Sequence, residues 1–228
     1  NFDEFNNPSS SKIPHVRSDI QEYLSEGQNN IARFKLEYMW SPYKDIYSRF
    51  DVGMLEEMFG GYGGEILYRP FDDNYAVGVT VHNVRQREYR QRFGFRDYKT
   101  TTGHLTFYND WPKNISSSVS IGKYLAGDKG VTVDLSRGFN TGFRVGIFAS
   151  KTNLSAEVFG EGSFDKGFYF SIPTDVFYTS YQTGHIPFGL HPLTKDGGAK
   201  LVVNNSLHAL LGETNKSSFV RDWFDIFD

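Results

Sequence analysis

From Asn30 onward the chain changes residue character one position at a time, and a period of two is the mark of an extended strand with unlike faces. In Ala32-Arg33-Phe34-Lys35-Leu36-Glu37-Tyr38-Met39-Trp40 one face carries Ala, Phe, Leu, Tyr and Trp, the other Arg, Lys, Glu and Met. Tyr75, Val77, Val79 and Val81 alternate with Ala76, Gly78 and Thr80, and Val131, Val133 and Leu135 with Thr132, Asp134 and Ser136. Phe143, Val145, Ile147 and Ala149 alternate with Arg144, Gly146 and Phe148, and the stretch from Leu201 to Leu211 repeats the pattern. Less regular strand candidates lie near 45–56, 64–69, 98–108, 117–124 and 167–181, separated by turn clusters such as Pro70-Phe71-Asp72-Asp73-Asn74.

The alternation predicts roughly ten strands of about seven to twelve residues, the length that a tilted membrane strand needs. No window approaches the run of apolar residues that a transmembrane helix requires, so a helical span is excluded. A mean hydropathy of −0.47 does not exclude a membrane barrel, because half of every barrel strand faces a polar lumen. Aromatic residues make up 17% of the chain and glycine contributes 23 residues, a combination that suits twisted sheets. A net charge of −3 marks no nucleic-acid binder, and the lack of cysteine removes disulfide scaffolds and thiolate metal sites.

Residues 1–29 read as a polar lead-in and one short helix. Ser18-Asp19-Ile20-Gln21 has the form of a capping box, Ile20, Tyr23 and Leu24 share a face, and Gly27 is the expected stop. The acidic, polar start has no signal-peptide character, which fits a cytoplasmic chain or a processed piece. Residues 30–212 hold the strands. Residues 213–228 form an aromatic and acidic tail in which Phe219, Trp223 and Phe227 recur every four positions, as for docking on a rim or a partner.

Alternation alone does not choose between a soluble sandwich and a membrane barrel, since both place one strand face in apolar surroundings. Two details favour the barrel. Charges occupy the middle of the polar face at Arg33, Lys35 and Glu37, and aromatics sit at strand ends at Tyr38, Trp40, Tyr75 and Tyr108, as interfacial girdles would.

The glycines of Phe59-Gly60-Gly61-Tyr62-Gly63-Gly64-Glu65 lack the Lys-Ser/Thr of a phosphate loop and precede a strand, so a turn or a close backbone approach is expected. Glu161 and Asp165, with Lys166 beside them, stand in a glycine-rich loop, and Gly162-Ser163-Phe164 is not a nucleophile elbow. The histidines are scattered without metal-ligand spacing, so hydrogen bonding is their expected role and neither metal nor cofactor is implied.

Taken in order, several motifs resemble one family. They are Arg17-Ser18-Asp19-Ile20, the stretch from Leu55 to Pro70 containing Phe59-Gly60-Gly61-Tyr62-Gly63-Gly64-Glu65, and Gly122-Lys123-Tyr124-Leu125-Ala126-Gly127-Asp128-Lys129-Gly130. Arg137-Gly138-Phe139 with Gly142, Gly146-Ile147-Phe148-Ala149, and Phe159-Gly160-Glu161-Gly162-Ser163-Phe164-Asp165-Lys166-Gly167 complete the set. From about Arg17 onward the chain resembles the YjbH-like family of exopolysaccharide and capsule biosynthesis outer-membrane lipoproteins. The resemblance implies an all-β, antiparallel transmembrane barrel in the bacterial outer membrane, without enzymatic activity. Its implied partners are outer-membrane lipids, a polysaccharide chain and the lipoproteins of a secretion system. Family members are much longer, so the chain corresponds to their C-terminal portion, and three arrangements stay open: it folds alone, it closes a barrel with another chain, or it is a fragment whose barrel an upstream part completes.

Strand parity then nominates Arg33, Lys35, Glu37, Glu65, Arg69, His82, His104 and Arg144 as the lining of a lumen that a glycan could follow. The rival reading is a soluble β-sandwich that binds or cleaves polysaccharide, with Glu161 and Asp165 as acid and base.

Overall fold

A computed structural model describes residues 13–27, 29–139, 141–155, 164–173, 185–190 and 195–212. A short helix α1 (Ile20–Glu26) precedes ten strands: β1 (Phe34–Tyr43), β2 (Ile46–Met54), β3 (Phe59–Tyr68), β4 (Tyr75–Arg87) and β5 (Phe95–Trp111), then β6 (Ile115–Lys123), β7 (Lys129–Gly138), β8 (Arg144–Thr152), β9 (Asp165–Pro173) and β10 (His185–Leu190). One further turn of helix, α2 (Leu207–Leu210), follows. The strands form a single antiparallel sheet in sequence order, each pairing with its chain neighbours. Tight turns make this possible. At the β5–β6 turn, Lys113 and Asn114 have φ of 66° and 56°, the left-handed pair that matches a hairpin's twist.

The sheet has inverted polarity. Its outward face carries Phe34 and Leu36 at 68% and 71% exposure and Ile66, Leu105, Ile121 and Ile147 at more than half. Its inward face buries Arg49, Asp51, Glu65, His82, Thr102, Ser120 and Ser150. The strands thus carry their hydroxyls and charges on the inward face and their large apolar side chains on the outward one. Aromatics gather on the outward face near one rim: Tyr38 stacks on Trp40 at 5.4 Å, and Tyr75 on Phe107 at 6.2 Å. The outward clustering of aromatics expected at Tyr38, Trp40 and Tyr75 is therefore present. Tyr108 is not part of it: it points inward and stacks on His208 at 3.7 Å, and Phe107 takes the outward position.

Among the described residues two apolar clusters lie on the inward side. The larger, at the rim nearest α1, joins Val16, Tyr23, Leu55, Met58, Phe59, Val84 and Leu125. The smaller joins Leu67, Ala76 and Leu207 toward the opposite rim. Arg87, wholly buried, holds the first rim together by donating to six carbonyls, those of Ile31, Ala32, Glu56, Glu57, Gln91 and Arg92, at 2.6–3.2 Å.

Four expectations change. The outer edges of β1 and β10 have no strand partner among the described residues, so what is seen is an all-β antiparallel sheet and not a closed barrel. The described strands end at Leu190, and the alternating stretch from Leu201 to Leu211 forms no strand. The helix at 20–26 is present and Gly27 caps its end, but no side chain caps its start. Ser18 is engaged elsewhere, donating from Oγ to Asp196 at 2.8 Å, and Leu24 is exposed. Finally, the described residues contain no second sheet packed on the apolar face, as a sandwich would need. Among them no helix is long and apolar enough to cross a membrane. The C-terminal tail from 213 lies outside the described residues.

Candidate functional site: a polar inner face spanned by a strap

The inward face owes its chemistry to strand parity. On β1, Lys35 and Glu37 point inward and form an ion pair. On β2, Arg49 and Asp51 face the same way, and the Arg49 guanidinium bridges Asp51 and Glu65 of β3 at 3.2 Å each. His82 of β4 donates from Nε2 to Asp51 at 3.1 Å. Buried charges in such a chain are paired in sequence around the curve, which is what makes their burial affordable. Gly63 opens room for this arrangement: a Cβ there would lie 2.4 Å from the His82 ring. The glycine-rich segment thus serves close approach inside a strand, as expected, and not a phosphate.

Farther round, hydroxyls replace charges. Thr106 and Ser120 share a hydrogen bond of 2.9 Å, and Tyr124, Thr132 and Ser150 form a chain with links of 2.6 and 2.8 Å. His104 packs its ring edge-on against Tyr124 at 4.8 Å. Tyr169 donates to Asp134 at 2.9 Å, and Arg144 donates to Ser136 at 3.2 Å.

The inner face is not empty. Residues 195–212 return from the end of the sheet and run along it from one rim to the other. At the α1 rim, Asp196 Oδ1 accepts the backbone N–H groups of Val16, Arg17 and Ser18 at 2.8–3.0 Å. Gly198 donates to Asp128 at 2.9 Å, and Arg17 binds Glu56 through two contacts and the Lys200 carbonyl through a third. Glu56 in turn accepts Val202 N–H at 2.8 Å. Midway, Lys35 and Arg49 donate to the carbonyls of Asn204 and Asn205, and Asn205 donates to Glu37. Glu65 accepts Leu207 N–H at 3.0 Å, and at the far rim Arg69 donates to the Gly212 carbonyl at 2.9 Å. Because one segment bonds to β1, β2, β3 and the β6–β7 turn and stacks His208 on Tyr108 of β5, the polar face must be concave around it.

Of the nominated lumen residues, Lys35, Glu37, Glu65 and Arg69 face inward and hold the strap, and His82 and His104 face inward beside it. Arg144 stands at the start of β8 on the same face. Arg33 is the exception: it precedes β1, is exposed, and ties the Leu55 carbonyl at 3.1 Å, so it belongs to the rim. Glu161 lies outside the described residues; Asp165 opens β9, and Lys166 sits 5.1 Å over the Phe164 ring. Among the described residues no three acidic or histidine side chains converge as a metal site would need.

Sequence reasoning missed Arg49 and Asp51, the centre of the charge cluster, although their i, i+2 spacing within 45–56 was readable. It also missed Asp196, whose role as a cradle of three N–H groups has no local signal.

Beside the apolar cluster of the α1 rim, a polar cleft of about 380 Å³ opens between residues 14–19 and the ends of β4 and β5. Asp19 gathers three donors there: His15 Nδ1, the Tyr89 hydroxyl and Arg96 Nη1, each at 2.8 Å. Burial would raise the Asp19 pKa, but these bonds outweigh it and hold the carboxyl below its ordinary value. Burial and the bond to Asp19 push the Tyr89 hydroxyl up to about 12.

No solved structure matches the chain. Over 213 residues it is 40% identical to the uncharacterized lipoprotein YjbH of Escherichia coli (strain K12), an alignment covering 88% of this chain and 30% of that protein. The chain therefore spans about a third of its relative's length. The family model described as exopolysaccharide biosynthesis protein YbjH matches residues 1–213. Most of the chain, including every described strand and the strap that crosses them, falls within that match, and the chain belongs to the YjbH exopolysaccharide biosynthesis family.

Proposed function

We propose that the chain forms the wall of an outer-membrane β-barrel and serves, without catalysing a reaction, in the secretion or assembly of an exopolysaccharide. The observation that carries this reading is the inverted polarity of the sheet. Water would penalise a continuous outward band of Phe, Leu, Ile and Val, whereas hydrocarbon accepts it, and only closed strand systems satisfy their backbone in lipid. The unpartnered edges of β1 and β10 are then completed by further polypeptide, from this protein or from another. The polysaccharide role comes from the family, and the relative's description as a lipoprotein agrees with a membrane setting.

In this reading the lumen is closed at rest. The charged residues that could have lined a glycan path are occupied by residues 195–212, so passage of a polymer requires the strap to leave. The partners are outer-membrane lipids, the polysaccharide and the lipoproteins of the secretion system.

The test is cell fractionation combined with gel mobility. The chain should sediment with outer membranes, resist extraction by high salt, and migrate differently before and after boiling in detergent. Recovery in the soluble fraction without detergent overturns the proposal.

A further inference from the structure

The rim cleft has a use that the strap and the wall do not require. Its lining combines two tyrosine rings, Tyr89 and Tyr98, with planar polar groups from His15, Asp19, Gln86 and Arg96. A pyranose ring presents an apolar C–H face and an edge of hydroxyls, and so needs an aromatic surface and fixed donors and acceptors together. About 380 Å³ lies within the size range of small-molecule sites, roughly 300–1,000 Å³.

The groups are held in place before any ligand arrives. Asp19 fixes His15, Tyr89 and Arg96, Gln86 Nε2 donates to the His15 carbonyl at 2.8 Å, and the Tyr98 hydroxyl donates to the Leu125 carbonyl at 2.6 Å. Such preorganisation lowers the ordering cost of binding. Arg96 covers one side of Tyr89 at 4.3 Å and Tyr23 meets its ring at 5.1 Å, so the half-buried Tyr98 is the better stacking platform. The charges of Asp19 and Arg96 cancel, which suits a neutral sugar better than a uronate or a phosphate. Tyr89 and Tyr98 of the cleft pack against the apolar cluster of this rim, and so do Ala199 and Leu201 of the strap.

We infer that the cleft is a glycan subsite that takes a neutral pyranose unit, stacked on Tyr98 and hydrogen-bonded by Arg96, His15 and Gln86. The inference rests on the export reading for the presence of a glycan at this rim.

The experiment uses the full chain in detergent micelles and oligosaccharides released from the host's exopolysaccharide by partial acid hydrolysis, sorted into neutral and acidic fractions. Equilibrium dialysis should show binding of the neutral fraction, retained by Tyr98→Phe and weakened about tenfold by Tyr98→Ala. The chain has no cysteine, so Pro14→Cys carrying a bulky maleimide offers a second probe that leaves the tyrosines in place. That label should block binding, whereas the same label at Phe71→Cys, in the exposed β3–β4 turn, should not. Absence of neutral-fraction binding, preference for the acidic fraction, or binding indifferent to both Tyr98→Ala and the Pro14 label overturns the inference. Heat-modifiable mobility, measured on the same samples, separates the two proposals. A normally migrating chain that binds no neutral fragment sinks the subsite alone, and loss of heat-modifiability with binding intact sinks the barrel alone.

Discussion

Arg87 shows how much one side chain carries in a chain without disulfides. Its guanidinium satisfies six carbonyls from three separate turns and loops, and no methylene substitute can do so. Arg87→Met should destabilise the fold by roughly 3–5 kcal/mol, read as a lower urea midpoint for loss of heat-modifiable mobility. An unchanged midpoint would remove Arg87 from that role. Asp19 gives a pH prediction. Its folded pKa lies below the ordinary 3.8, so folding favours the ionised form. The stabilisation is complete above that ordinary value and is lost as pH falls through the lower folded one. Proteolytic cutting of the α1 segment should therefore accelerate below about pH 4, and Asp19→Asn should cut rapidly at every pH. A wild-type rate that stays flat down to about pH 2 contradicts the assignment.

The strap is the element that the sequence concealed. Its alternation from Leu201 to Leu211 is as regular as that of β7, yet the stretch bends at Asn204 and Asn205 and Leu207–Leu210 are helical, so the pattern does not report an extended chain. What separates strand from strap is where the backbone groups bond, and here they go to side chains: Val202 N–H to Glu56, Leu207 N–H to Glu65, the Asn205 carbonyl to Arg49. Those partners are far away in sequence and leave no local pattern. By contrast Lys35 and Glu37 were legible, since parity within one strand fixes which face a residue takes. Tyr108 was misread because sequence gives its position at a strand end but not its parity relative to the curve. Leu207 anchors the strap against Leu67 and Ala76. Leu207→Asp should release it, and trypsin should then cut after Lys200 at least about tenfold faster while the strands stay protected. Equal cutting rates would mean that the strap's polar contacts hold it unaided. Acid should act in the same direction. Burial and the neighbouring Arg69 depress the His208 pKa to about 4, so the folded strap resists protonation and weakens as pH falls from 6.5 toward that value.

At the scale of the whole molecule, the decisive property is the contrast between the two faces of one sheet. It predicts a large asymmetry in tolerance to charge. Val133, mid-strand and outward in β7, should cost about 2–4 kcal/mol when changed to lysine in a lipid bilayer. Ser118→Lys, on the polar face of β6 opposite Asp134, should cost far less. Refolding into lipid vesicles at graded urea measures both, and equal costs would show the outward face to be wet. The all-β class of the fold and most of the inward residues could be read from alternation, but the strand count agreed only because the strap stood in for β10, which the alternation did not show. The curvature could not be read, because what reveals it, the bonds of the strap to several strands, joins residues far apart in the chain.

The strand order has a kinetic consequence. Every ladder joins neighbours in sequence, so the sheet can be built hairpin by hairpin with small loops to close. The strap is the opposite case: Asp196 meets Val16 across 180 positions, and its other partners exist as a set only once the sheet has curved. Growth of the wall and closure of its interior are therefore separate events in time, the second waiting on the first. During that interval the charged interior faces water, and the molecule passes through an open form on its way to the closed one.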